Sequence, residues 1–154
     1  MSIKEVLELG PMQRGGTLLT PELQLAHRNK VLEAGLSIHR DAHVPELLEE
    51  LAGIIRPDFP EVGISEPRLI DDGQVSLDIE WDFGQRSIYL GPNLPSHNAI
   101  RVKAHLLTND LVVTGGEGSE LLGHERWQAD HQLLEDAIVR AYKNPLRVGE
   151  LERL

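Results

Sequence analysis

The sequence predicts an α+β fold with N-terminal helices, a four- to five-stranded antiparallel meander sheet, and a C-terminal helix packed on the apolar face of the sheet. Two observations support this prediction. Apolar residues recur at helical spacing up to residue 55 and again after residue 119, whereas from about residue 62 their period changes to that of a strand. The 154 residues suit a single domain over 1–154, with 1–19 as a loosely ordered arm and 145–154 as a tail.

The first two helices are predicted from their start and stop signals. Ser2 caps a short helix over residues 3–9. Thr20-Pro21-Glu22 is a strong helix start because it combines a capping hydroxyl, a proline at the first helical position and an acid in the first turn. We expect this second helix to end near Ala34, with Gly35 as its stop.

Pro45 opens a further helix, which is amphipathic. Five apolar residues fall on one face at helical spacing, namely Leu47, Leu48, Leu51, Ile54 and Ile55. Three carboxylates lie on the opposite face, namely Glu46, Glu49 and Glu50. Pro57 ends the helix because proline restricts the residue before it and lacks the backbone donor.

The central strand is predicted from strict alternation. Residues 74–82 read QVSLDIEWD, so that one face is apolar and the other carries three carboxylates. A tight turn at residues 82–85 pairs Ile79 with Ile88, and the Asp72-Gly73 turn pairs Ile70 with Val75. Both pairings join apolar to apolar side chains.

Two more strands complete the predicted meander. Residues 100–106 read IRVKAHL, in which apolar and basic side chains alternate, and a turn at Thr108-Asn109 leads into the strand of residues 111–113. In a simple meander this basic strand lies two strands away from the acidic one, with Ser87 and Tyr89 between them. Few direct salt bridges are then expected.

The C-terminal helix follows a glycine-rich segment. Gly115, Gly116 and Gly118 break the sheet, and Ser119 caps the helix. Its apolar stripe consists of Trp127, Leu134, Ile138 and Ala141, and Asn144-Pro145 ends it. The segment GGEGS is interpreted as a strand-to-helix corner, because it lacks the lysine and the spacing of a phosphate-binding loop.

The composition excludes several classes of protein. The chain has no cysteine, which excludes a disulfide framework, thiolate metal sites and a cysteine nucleophile. No apolar run approaches the ~18–20 residues that a membrane span needs. The first residues, MSIKEVLEL, carry two glutamates where a signal peptide is positive, so we expect a cytoplasmic protein.

The charge is concentrated in the middle of the chain. The formal net charge is −10, and residues 41–82 alone hold two basic and twelve acidic side chains. Such a field repels phosphate backbones and anionic lipid, so neither direct nucleic-acid binding nor membrane binding is expected. It favours encounter with a basic protein partner.

The histidines supply one candidate metal site. His39, Asp41 and His43 place two imidazoles four residues apart with an acid between them, and on a helix they share a face. The alternative interpretation is a polar turn between two helices, since Pro45 follows closely. His124 and His131 lie two turns apart on the predicted last helix, which is too far for one ion.

The carboxylates of the central strand are the most defined feature. Asp78, Glu80 and Asp82 lie ~6.6–6.8 Å apart on one face of a strand. Three interpretations remain open: the solvated face of a sheet, a surface that meets a basic partner, and a mimic of a nucleic-acid backbone. No carboxylate is isolated in the way that a glycosidase acid requires.

These observations favour a small acidic binding protein that is not an enzyme and needs no cofactor. It docks on a basic partner protein, as inhibitors, immunity proteins and antitoxins do. The predicted docking residues are Glu46, Glu49, Glu50, Asp78, Glu80 and Asp82, with Tyr89 as an aromatic anchor. One alternative is a metal-dependent hydrolase that uses His39, Asp41 and His43. Another is a structural or accessory subunit that forms homo-oligomers through the apolar edge of its last strand.

Overall fold

The computed structural model describes residues 20–71, 73–82 and 97–147. The chain divides into two compact units, Met1–Lys30 and Val31–Leu154. Within the described residues the second unit holds an open antiparallel sheet with helices before and after it, which confirms the predicted α+β fold. The helix predicted over residues 3–9 lies outside the described residues.

The described residues form four helices and seven strands. In chain order they are α1 (Pro21–Asp41), α2 (Val44–Ile55), β1 (Gly63–Ile64), β2 (Arg68–Ile70), β3 (Gln74–Asp82), β4 (His97–His105), β5 (Leu111–Gly115), β6 (Gly118–Leu122), α3 (His124–Ala129), α4 (Gln132–Lys143) and β7 (Leu146–Arg147).

Helix α1 begins as predicted but runs further. Thr20 caps it, since the Thr20 Oγ1 accepts a hydrogen bond from the Leu23 backbone N–H at 3.1 Å. The predicted stop at Gly35 is wrong because the helix continues to Asp41. Gly35 instead allows a close approach, because a Cβ at this position would lie 2.3 Å from the Val75 Cβ.

Helix α2 matches its predicted start, with Pro45 in its first turn. Leu48, Leu51 and Ile55 are buried. Ile54 was expected on the same face but is 62% exposed, so the apolar stripe is narrower than predicted.

The sheet contains the predicted meander. Strands β3, β4, β5 and β6 are consecutive antiparallel neighbours. Strands β1 and β2 both pair with β3 on the edge opposite β4, and β7 pairs with β4 beside β5. The strand count of seven exceeds the predicted four to five, partly because β1 and β7 have only two residues each. Leu146 and Arg147, which were predicted to belong to a tail, form β7 and pair with β4.

The strand beside β3 differs from the prediction, which placed a further strand between the acidic strand and the basic strand. Both edges of β3 are paired at Ile79, by Ile64 and by Ile100, so the predicted pairing of Ile79 with Ile88 is wrong. Ile88 itself, like the rest of residues 83–96, lies outside the described residues. Because β4 lies directly beside β3, the basic strand is the immediate neighbour of the acidic one.

Two turns also differ from their predictions. Ile70 pairs with Gln74 rather than Val75, and Asp71 adopts the left-handed conformation in this turn, with φ 50°. The glycine-rich segment is a hairpin turn between β5 and β6 rather than a corner, since Gly115 pairs with Gly118. Ser119 therefore lies in β6 and caps no helix.

The predicted C-terminal helix is two helices. Asp130 separates them, and its carboxylate accepts a hydrogen bond from the Gln132 backbone N–H at 3.0 Å, which satisfies a free donor at the start of α4. Trp127 belongs to α3, whereas Leu134 and Ile138 belong to α4.

One continuous core holds the second unit together. The apolar side chains of β3 and β4, such as Ile79 and Ile100, pack in one cluster with Leu48 of α2 and Leu134 of α4. Each of these four side chains is fully buried, and burial of one such side chain stabilises the fold by about 1.5–3 kcal/mol. The helices cover the apolar face of the sheet, as predicted.

Candidate functional site

The second face of the sheet carries a buried ion pair. Asp78 of β3 lies opposite Arg101 of β4 and is fully buried. The Arg101 Nε donates to both carboxylate oxygens of Asp78 at 3.2 Å, and the Arg101 Nη2 donates to Oδ2 at 3.1 Å. The Ser76 hydroxyl donates a fourth hydrogen bond, to Oδ1 at 2.5 Å. These contacts compensate the carboxylate for the water it loses on burial.

The ion pair extends into a network along the same face. Arg68 of β2 lies 3.8 Å from the Asp78 carboxylate and 3.7 Å from that of Glu80. The His97 Nε2 lies 3.4 Å from the Glu80 Oε1, although it makes no hydrogen bond within the described residues. Acidic and basic groups are therefore interleaved here, and the network has the character of a structural ion cluster.

This arrangement corrects the predicted row of exposed carboxylates. Asp78 is fully buried, so none of the three surface interpretations left open by the sequence applies to this residue. The Glu80 side chain is 29% exposed and lies between Arg68 and His97. Asp82 ends β3, and its side chain, like Tyr89, lies outside the described part of the chain.

The exposed acidic surface lies instead on α2. Glu46, Glu49 and Glu50 are all exposed, and the opposite face of the helix is buried in the core. We call these three residues the α2 acidic face. The segment between α2 and β3 adds four exposed carboxylates, those of Asp58, Glu61, Glu66 and Asp71. Among the described residues from Val44 to Asp71 the only cations are Arg56 and Arg68, and Arg68 faces Asp78 and Glu80.

An exposed apolar side chain adjoins the α2 acidic face. Ile54 follows Glu50 by four residues, so the two side chains are neighbours along the helix. Gly53, beside Ile54, is exposed, and a Cβ built on it meets no atom within 4 Å. The C-terminal part of α2 thus offers an open apolar position next to Glu50, at one end of the α2 acidic face.

His39 is a buried histidine that the sequence pattern did not single out as structural. Its Nε2 donates to the Val75 carbonyl at 2.9 Å, and its Nδ1 is buried without a hydrogen-bond partner. Burial lowers the pKa of His39 below 6.5, against the opposing effects of the Val75 hydrogen bond and the Asp78 charge. Gly35 precedes His39 by one turn of α1. Gly35 allows the helix to approach Val75 of β3 closely, and His39 hydrogen-bonds to the same residue.

Replacing His39 with Gln should flatten the dependence of stability on pH. The unfolded chain binds a proton as the pH falls below about 6.5, whereas the folded chain resists it because its pKa is lower. The contribution of neutral His39 is therefore present above pH 6.5 and is lost as the pH falls towards the folded-state pKa. Glutamine retains an N–H donor but does not titrate. Urea unfolding at about pH 7.5 and about pH 5.5 measures how much the free energy of unfolding falls between the two pH values. This fall should be smaller for His39→Gln than for the wild type, and an equal fall in both proteins would contradict the role assigned to His39.

The predicted metal ligands are not brought together. His39 is buried and hydrogen-bonded to β3, whereas the His43 side chain is 64% exposed at the start of α2. In the part of the chain that the structure describes, no group of three His, Cys, Asp or Glu side chains could hold a metal ion. The predicted polar turn is confined to Ala42 and His43.

Two cavities lie beside α3. One, of about 540 Å³, is lined by Asp41, Glu125, Trp127, Gln128, Ala129 and His131. The other, of about 310 Å³, is lined by Ala34, Ser37, Ile38, Asp41, Leu106, Asn109, His124 and Trp127. Trp127 forms a fixed wall of both because its Nε1 donates to the Asn109 carbonyl at 2.9 Å.

Sequence reasoning missed Arg68, His97 and Arg101 as partners of the central carboxylates. The alternation of residues 100–106 did place Arg101 and Lys103 on one face, which is the signal that could have found the pair. The alternation of side chains within one strand does not show that β3 and β4 are paired.

Comparisons with known proteins add no relative. No protein-family model matches the chain, and no curated protein or solved structure matches it significantly. Within residues 20–71, 73–82 and 97–147, none of the helices has the length and apolar character to cross a membrane.

Proposed function

We propose that this protein is a cytoplasmic binding protein without enzymatic activity, which docks on a basic partner protein through the α2 acidic face. The observation that carries the proposal is the position of Glu46, Glu49 and Glu50, all exposed on one rigid helix whose other face is anchored in the core. A rigid helix presents its side chains without the entropic cost of ordering a loop.

The charge around this face supports a basic partner. Seven exposed carboxylates lie between residues 44 and 71, while the carboxylates of Asp78 and Glu80 in the sheet lie beside arginines. Surface carboxylates steer a cationic partner and accelerate encounter, and their effect falls with ionic strength. Inhibitors, immunity proteins and antitoxins that cover a phosphate-binding surface meet such a partner, because that surface is itself basic.

Capture of a partner from source-cell lysate tests the proposal with three baits. They are the wild-type chain, the α2 variant Glu46→Gln/Glu49→Gln/Glu50→Gln, and the control variant Glu22→Gln/Glu117→Gln/Glu135→Gln. The control removes the same number of exposed carboxylates from other surfaces. Each bait is compared at low salt and at about 0.5 M salt, and the bound proteins are identified by mass spectrometry.

The proposal predicts that the wild type and the control capture the same basic protein, and that the α2 variant loses it. Higher salt should weaken the capture. Equal recovery on all three baits would contradict the proposal, as would loss on the control variant alone.

Ile54→Asp is expected to weaken partner binding by about thirtyfold or more, with little effect on folding. Ile54 is 62% exposed, so the substitution buries no charge and should change the free energy of unfolding by no more than about 0.5 kcal/mol. Removing an apolar anchor at the centre of an interface typically costs ~2 kcal/mol or more of binding free energy. Urea unfolding and binding to the captured partner measure the two effects. Unchanged partner binding would remove Ile54 from the proposed interface.

A second candidate is an accessory subunit that self-associates through β6. Within the described residues β6 pairs with β5 on one edge only, and its Leu121 is 58% exposed. An unpaired strand edge is a template for pairing with another chain. Light scattering at two concentrations tests this candidate, and a monomer of 17.2 kDa at both would contradict it.

A further inference from the structure

Two histidines that are far apart in the sequence meet at the starts of two helices. His43 precedes α2 and His131 precedes α4, and their ring centroids lie 5.3 Å apart with an interplanar angle of 57°. The tilt excludes parallel stacking of the rings. From this juxtaposition we propose that His43 and His131 form a two-histidine site for a divalent late transition metal such as Cu²⁺, Ni²⁺ or Zn²⁺.

The ring spacing fits two imidazoles on one ion. With metal–nitrogen bonds of about 2.0–2.1 Å and a tetrahedral angle, the ring centroids of two ligands lie about 5 Å apart. Imidazole nitrogen suits late transition metals, whereas Mg²⁺ and Ca²⁺ require sets of oxygen ligands. The two histidines supply two ligands, and water completes the coordination.

A carboxylate orients one of the rings. The Glu46 Oε2 lies 3.7 Å from the His43 Nδ1, which leaves the His43 Nε2 as the ligand. A carboxylate on the second ring nitrogen fixes the orientation of a metal-binding histidine and strengthens its donor. His43 also holds a left-handed backbone conformation with φ 62°, which is uncommon for residues other than glycine.

The surrounding charge favours a cation. Asp41 and Glu125 line the same cavity as His131, and Glu46 lies in the first turn of α2. The starts of two helices contribute about half a positive charge each, which opposes a cation. Three carboxylates outweigh this opposition.

Titration calorimetry with Cu²⁺, Ni²⁺ and Zn²⁺, each alone, tests the site on the full chain. The variants are His43→Asn and His131→Asn, since asparagine tolerates the left-handed conformation at residue 43. His124→Asn is the matched control because His124 lines only the neighbouring cavity. Circular dichroism before each titration verifies that the variants are folded. Mg²⁺ serves as a hard-cation control.

We expect one Cu²⁺ ion per chain for the wild type and for His124→Asn. His43→Asn and His131→Asn should each weaken Cu²⁺ binding at least tenfold. Glu46→Gln should weaken it by about tenfold, because Glu46 no longer orients the His43 ring. No binding by the wild type would overturn the proposal. Equal binding by the wild type and the two pair variants, or an equal loss in His124→Asn, would also overturn it.

Discussion

Arg101→Met is expected to destabilise the fold by about 3–5 kcal/mol, because it leaves the Asp78 carboxylate buried without its principal partner. The remaining contacts, from the Ser76 hydroxyl and from Arg68 at 3.8 Å, do not replace a bidentate guanidinium. Chemical denaturation monitored by circular dichroism measures the loss.

Arg140→Met is the matched control. Arg140 also donates two hydrogen bonds to one carboxylate, that of Glu120, but both side chains are exposed to solvent. Exposed pairs contribute little to stability, so the control should behave almost as the wild type. The double variant Asp78→Leu/Arg101→Met should recover much of the lost stability, since it leaves no unpaired charge. Similar losses for Arg101→Met and Arg140→Met would contradict the structural role of the buried pair.

Gly35→Ala and Gly53→Ala are expected to change stability in opposite directions, although both replace a glycine inside a helix. A Cβ at Gly35 would lie 2.3 Å from both Cβ and Cγ2 of Val75, and strand β3 holds Val75 in place. The resulting overpacking should cost about 3 kcal/mol, which exceeds the gain of about 1 kcal/mol in helix propensity.

At Gly53 a Cβ meets nothing within 4 Å, so only the gain in helix propensity remains. Gly53→Ala should therefore stabilise the protein by about 0.5–1 kcal/mol. Thermal and urea unfolding of the two variants in parallel measure the difference. If Gly35→Ala proved as stable as Gly53→Ala, α1 would not approach β3 closely at Gly35.

The sequence predicted those features that depend on neighbouring residues. The start of α2 at Pro45, the cap at Thr20 and the alternation in β3 are set within a few residues, so each was found. Gly35 was misread because a glycine that permits close packing and one that ends a helix look alike locally. The contact that distinguishes them comes from Val75, forty residues later.

The candidate site was harder to predict because it depends on which strands are adjacent. Alternation places Asp78 on one face of β3 but does not say whether that face is solvated or covered. The turn signal at residues 82–85 favoured a local hairpin, whereas the strand paired along β3 is β4. Once Arg101 lies opposite Asp78, the carboxylate becomes a structural group, and the α2 acidic face carries the exposed charge.

Site-specific photo-cross-linking from α2 tests the central claim most directly. A photoreactive amino acid is placed at Ile54, and in a second protein at Val139, which is another exposed apolar residue on a helix. Both proteins are irradiated in source-cell lysate at low salt, and the adducts are identified. The proposed docking surface predicts a basic protein cross-linked from position 54 and not from position 139. Adducts from position 139 alone, equal yields from both positions, or no adduct from position 54 would contradict it.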